Sequence, residues 1–241
     1  IGGRYEWKNK GIDVFIDALD KLNHTEFEGK CVHAFIMIPS GHNGPDKQLL
    51  SKLNGNPSGY VTRTSHYLMN PEYDAVTNRL NALNFNNAIG DKVKVYFIPS
   101  YLNGNDGIFN MSYYDLLVGL DLTLFPSYYE PWGYTPLESV AFAVPTITTD
   151  LAGFGQWVAK SQGMEPKKVG VEVIHRTDSN YSHTVMTVAQ GIMNVFALKP
   201  TEWRKMSRAA QKTAKMALWS HFITYYDTAY SLALEAAKSR Q

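Results

Sequence analysis

Residues 126–138 read PSYYEPWGYTPLE and hold two carboxylates, Glu130 and Glu138, eight positions apart among three tyrosines and a tryptophan. Paired carboxylates can accept hydrogen bonds from sugar hydroxyls, or divide the work of acid and nucleophile at a glycosidic centre. The same stretch carries a helix start. Thr135 suits the N-cap, Pro136 the first turn, and Glu138 completes a capping box. A helix N-terminus exposes N–H groups and about half a positive charge, which suits a phosphate. A second cluster, GRYEWKNKG at 3–11, places Arg4 and Lys10 in a loop just before another helical pattern. Taken singly, each residue has an ordinary use: a cap, loop packing, a solvated cation. Together, two cations facing a helix N-terminus would neutralise a diphosphate.

Both clusters need a scaffold that brings them to one edge, and the apolar pattern supplies it. Continuous apolar runs at 31–40, 92–100, 119–127, 144–150 and 169–175 read as strands buried on both faces. Helical windows alternate with them at 11–22, 71–85 and 112–120, the first placing Val14, Ala18, Leu19 and Leu22 on one face. Such alternation predicts an α/β fold, Rossmann-like, with a doubly wound, mostly parallel sheet whose ligands bind at the strands' carboxyl ends. Beyond about residue 181 the pattern is helical to the end. The expected organisation is a nucleotide-binding unit over 1–180 and a helical extension over 181–241, packed on the same domain. GHNGPD at 41–46 reads as a turn, with His42 a solvated loop residue. Trp157, Trp203 and Trp219 read as core or domain-contact residues.

Composition narrows the partners. A net charge of +1 over 241 residues gives no electrostatic footprint for nucleic acid or a membrane surface. No apolar run is long enough to span a bilayer, and Cys31, the single cysteine, excludes an internal disulfide framework. The opening IGGRYEW reads as a strand end entering a loop, as in a chain that starts inside a longer protein.

GRYEWKNKGIDVFIDAL and FPSYYEPWGYTPLE together resemble the donor-nucleotide (C-terminal) half of eukaryotic-type glycogen synthases, retaining glycosyltransferases of the two-Rossmann-domain GT-B fold. KVKVYFIPSYL, TITTDLAGFG and LWSHFITYYDTAYSLAL echo the same family, so the likeness runs nearly the whole length. The resemblance implies transfer of glucose from UDP-glucose to the 4-hydroxyl of an α-1,4-glucan in the cytoplasm. It implies that Arg4 and Lys10 hold the donor diphosphate, that Glu130 lies near the transferred glucose, and that Glu138 holds the ribose hydroxyls. Backbone around Trp132, Gly133, Tyr134 and Thr135 would meet the phosphates, and Tyr114 would stack on uracil, with Tyr113 the adjacent alternative register. Glu130 remains open between a covalent nucleophile and a hydrogen-bonding anchor.

No cofactor is expected beyond the substrate, and no metal. The sequence has no D-x-D, H-x-H or HExxH pattern. The family's acceptor domain, an N-terminal Rossmann domain of the same protein, supplies a histidine and an arginine to the site, so these 241 residues alone should turn over little. Residues 201–219 stand where relatives carry an arginine-rich glucose-6-phosphate helix. Here Arg204, Arg208, Lys212 and Lys215 recur at helical spacing, a pattern that suits a solvated face at least as well. Two other readings stay open: a related retaining transferase using another nucleotide sugar or acceptor, and an inactive nucleotide-binding regulatory domain. Homo-oligomerisation is left undecided.

Overall fold

The computed structural model describes residues 1–27, 29–56 and 61–240. Two parallel ladders form the α/β frame. In the first, β1 (Val32–Met37) pairs with β4 (Val93–Ile98), Val32 opposite Val93 and Met37 opposite Ile98. Gly2 bridges Met37 in parallel, so the first residues of the chain lie along β1. In the second ladder β6 (Thr146–Thr149) lies between β5 (Thr123–Phe125) and β7 (Val171–Ile174), all parallel. Ile1, Ile36 and Val95 share one buried cluster with Leu124, Ile147 and Ile174, which joins the two ladders through a common core.

The five expected strands are all present: each buries side chains along its length, and β5 and β6 are buried at every position. Helix α1 (Ile12–Asn23) buries Val14, Ala18, Leu19 and Leu22 to 1% exposure or less. Each of its larger apolar side chains contributes roughly 1.5–3 kcal/mol on that account. Further on come α2 (Lys47–Leu53), α3 (Ala75–Ala82), α4 (Tyr113–Leu117), α5 (Tyr134–Ala141), α6 (Gly153–Ser161) and α7 (Pro166–Val169). The C-terminal region is α8 (Tyr181–Phe196), α9 (Pro200–Met216) and α10 (Trp219–Lys238). Helix α8 gives Val185, Val188 and Ile192 to the main core cluster, and α9 gives Ala210 and Ala214 to a second one beneath α6. Helix α10 buries none of its residues.

Three local readings need correction. GHNGPD is more than a turn: β2 (His42–Pro45) pairs antiparallel with β3 (His66–Leu68), a polar hairpin without apolar alternation, whose His42 and His66 rings lie 4.5 Å apart. The 71–85 window is not one helix. Pro71–Tyr73 forms a 3₁₀ turn, and Asp74 then caps α3 by accepting from Thr77 N–H at 2.7 Å. Trp219 is 60% exposed, which removes the core half of its core-or-domain-contact reading, whereas Trp203 donates its indole N–H to Asp121 O at 2.9 Å.

Candidate functional site

Every loop that carries a candidate residue leaves the carboxyl end of a parallel strand. The loop after residues 1–3 carries Arg4 and Lys10, and the loop after β5 carries Glu130. The second loop is fixed on both sides. Tyr128 N–H donates to Asn9 O at 2.7 Å, tying it to the first loop. On its other side Gly153 N–H donates to Glu130 O at 3.1 Å and Phe154 N–H to Trp132 O at 2.6 Å, joining it to the start of α6.

The entry to α1 is the tightest contact between the two loops. Gly11 caps α1 with φ +68°, a left-handed conformation that glycine adopts freely. A Cβ there would sit 2.1 Å from Pro126 O, so the helix start lies directly against the β5 loop. That approach delivers Lys10 to Glu130: Lys10 Nζ donates to the Glu130 carboxylate, the two side chains being 14% and 21% exposed. An ion pair at this depth is partly desolvated, so its attraction is screened less than a surface pair's and is offset by the cost of desolvation.

Helix α5 begins earlier than Thr135. Its N-cap is Gly133, at φ +106° and ψ 76°, so Tyr134 is the first helical residue and Thr135 the second. No side chain caps it, and Glu138 does not close a capping box. The first-turn N–H groups of Tyr134 and Thr135 thus have no side-chain partner. Glu138 instead accepts the Tyr114 phenol at 2.9 Å. This bond, more than the nearby carboxylate charge, pushes the Tyr114 phenol above its ordinary range. Glu130 stays close to the helix start, its Cγ 3.5 Å from the point where a Cβ on Gly133 would lie.

A cavity of about 420 Å³ opens at this end of the sheet, and Arg4, Tyr5, Ser100, Tyr113, Thr135 and Glu138 are among the residues that line it. The first loop and α5 therefore face one space, with the Lys10–Glu130 pair beside the α5 N-cap. Arg4 is 77% exposed and bonded to Glu6 at 3.1 Å. Of the adjacent pair Tyr113 and Tyr114, Tyr113 is the one on the cavity wall. Tyr114 is turned away, stacked on Phe142 with ring centroids 5.1 Å apart. Burial raises the Tyr113 phenol far above its ordinary range, and its Oη is buried without a hydrogen-bond partner. Trp132 is also off the wall: its ring packs edge-on against Phe154 and Phe222 and near Trp157. Tyr134 is 71% exposed.

Tyr5 and Ser100 are missing from the residues singled out by sequence, and Tyr113 stands there only as the alternative register to Tyr114. Tyr113 carried a signal as the neighbour of Tyr114, and Ser100 as the residue after the strand proline. Among the described residues no group of three or more His, Cys, Asp or Glu side chains is placed to hold a metal ion. Among the same residues no helix is long and apolar enough to cross a membrane.

The family model described as glycogen synthase matches residues 47–241. The chain belongs to the glycogen synthase family. Among its relatives, glycogen [starch] synthase isoform 1 of Saccharomyces cerevisiae is 27% identical, covering 100% of this chain and 43% of the yeast protein. Isoform 2 of the same yeast is 29% identical over 73% of this chain and 34% of its own length. The glycogen [starch] synthase of Caenorhabditis elegans is 27% identical over 97% of this chain and 43% of the worm protein. The chain thus spans less than half the length of these glycogen synthases. Among solved structures, WaaG, a glycosyltransferase involved in lipopolysaccharide biosynthesis, covers 87% of this chain and 40% of its own, at 15% identity and TM-score 0.45. The sucrose-phosphate synthase of Thermosynechococcus elongatus covers 95% and 43%, at 18% identity and TM-score 0.48.

Proposed function

We propose that this chain is the donor-binding half of a GT-B glycogen synthase that takes glucose from UDP-glucose and passes it, with retention, to the 4-hydroxyl of an α-1,4-glucan. The observation that carries the reading is the shared cavity of Arg4, Thr135 and Glu138, with the Lys10–Glu130 pair at the α5 N-cap. In the transfer, the bond between the glucose anomeric carbon and the diphosphate oxygen breaks, and the electron pair stays on the phosphate. Lys10, Arg4 and the open N–H groups at the start of α5 stabilise that growing charge, which is where an active site gains most. No metal is required when two cations and a helix end serve the diphosphate. The acceptor hydroxyl bonds to the anomeric carbon on the face the phosphate leaves, and its proton passes to the leaving oxygen. In this reading Glu138 takes the ribose hydroxyls and Tyr113 the base, both residues lining the cavity. The acceptor-side groups belong to an N-terminal domain of the whole protein, so turnover is assayed on the full-length enzyme.

Titration calorimetry of UDP and UDP-glucose into this chain and its Arg4→Ala variant tests the reading. We expect Arg4→Ala to weaken UDP binding about tenfold, the scale of one charge-assisted contact to phosphate. Absence of UDP binding, or equal binding by the variant, overturns it.

The Lys10–Glu130 pair adds an expectation of opposite sign. With no donor bound, Glu130 holds the ammonium that the diphosphate needs. Glu130→Gln releases it, so UDP affinity should rise about three- to tenfold, the worth of one partly screened ion pair. Turnover by the full-length enzyme should fall. Loss of UDP affinity in Glu130→Gln would show that the carboxylate binds donor directly and does not compete for Lys10.

A further inference from the structure

We infer that Arg176, two residues beyond the end of β7 and outside the cavity, is a positioning residue that fixes the loops of Lys10 and Glu130 against each other. The inference rests on the transfer chemistry proposed above.

Arg176 is 5% exposed, unusual for a guanidinium without a ligand. Its Nη1 donates to Pro126 O, the carbonyl against which Gly11 at the start of α1 lies. Its guanidinium carbon lies 5.3 Å from the centroid of the Tyr128 ring, within cation–π range. The same Nη1 is 3.0 Å from the point a Cβ on Gly11 would occupy. Its own backbone is anchored too, the N–H donating to Asp150 Oδ1 at 3.0 Å. One planar side chain therefore lies against the start of α1 and the loop of Glu130, while its backbone is tied to the residue after β6. A guanidinium can do this because its five donors sit in a rigid fork.

The charge is compensated from α1. Asp13, in the first turn and 9% exposed, interacts electrostatically with Arg176, while burial holds the carboxyl above its usual range. Around the clamp, Tyr128 N–H bonds Asn9 O, one residue before Lys10, and Tyr128 Oη bonds Asp178. Tyr128 lies two residues before Glu130. Loosening Arg176 lets the two loops slide apart at the point where the ion pair is made. A shift near 1 Å in such a pair costs far more in rate than in ground-state binding.

The test uses the full-length protein with Arg176→Met and Arg176→Lys, read by kcat and KM for UDP-glucose, thermal melting, and hydrogen exchange at the Tyr128 amide. We expect kcat to fall about 10- to 100-fold in Arg176→Met with KM within about threefold, as for lost positioning. The Tyr128 amide should exchange faster while β1 amides keep their protection. Arg176→Lys should recover part of kcat, since an ammonium can still donate to Pro126 O. Unchanged kcat in folded Arg176→Met overturns the inference, as does a loss that follows melting temperature with Tyr128 protection intact. Should Arg176→Met not fold, Arg176→Lys and Tyr128→Leu decide by the same readouts, and unchanged kcat in both overturns it. A wild type that ignores UDP-glucose overturns the transfer reading instead, and the Tyr128 amide then decides the clamp alone.

Discussion

Replacing Lys10 by alanine in the full-length enzyme is expected to lower kcat by about 10²–10³-fold, the scale of removing one preorganised group aimed at developing charge. The argument is geometric. Lys10 is 14% exposed and held by the turn that enters α1, so its ammonium needs little ordering when charge grows on the leaving phosphate. Arg4, at 77% exposed and bonded to Glu6, must be recruited from solvent, and its loss is expected to cost less. Stability should change by only about 1 kcal/mol, because Glu130, though left unpaired, keeps partial access to water. Lys8 provides the comparison: it is exposed on the same loop, and Lys8→Ala should leave kcat unchanged. The measurement is steady-state turnover of UDP-glucose with glycogen, alongside thermal melting. A fall of less than about tenfold in Lys10→Ala would remove it from the charge-stabilising group.

How far the sequence goes is set by what kind of force decides each feature. The parallel strands are legible because burial writes short, mostly apolar runs, as in Val93–Ile98, where Lys94 is the one charged residue. The β2–β3 hairpin is not, since His-Asn-Gly-Pro offers no apolar alternation and its pairing depends on residues more than twenty positions away. The start of α5 is misread for a different reason. Thr135 and Glu138 imitate a capping box, but Gly133 can adopt φ +106° and takes the cap, which leaves Glu138 to the Tyr114 phenol. Tyr113 and Tyr114 are indistinguishable by type. On a five-residue helix one faces the cavity and the other faces Phe142, and tertiary packing alone chooses. Spacing placed Arg4, Thr135 and Glu138 at one sheet end because strand direction fixes which loops meet there, and the three line one cavity. Arg176 carried only a positional hint, an arginine just past a strand's carboxyl end. Its role depends on Pro126, Tyr128 and Gly11, which lie far from it in sequence.

Gly11→Ala is expected to be the most damaging single substitution in the loop, costing about 3–5 kcal/mol of stability and about 10 °C in melting temperature. Two effects combine. The left-handed backbone at φ +68° resists a side chain by about 1–2 kcal/mol. The new methyl would also sit 2.1 Å from Pro126 O and 3.0 Å from Arg176 Nη1, neither of which is a flexible chain end free to swing away. Relief requires α1 and the β5 loop to separate, and that separation also carries Lys10 away from the start of α5, where the diphosphate is to bind. Gly90→Ala isolates the first effect, since φ there is +98° and nothing lies within 4 Å of the added carbon. It should lose only about 1 kcal/mol and leave UDP binding intact. Measured well below either melting temperature, UDP affinity should fall in Gly11→Ala alone. Equal stability losses at the two positions would mean that backbone strain, and not the contact with Pro126, explains the glycine at the start of α1.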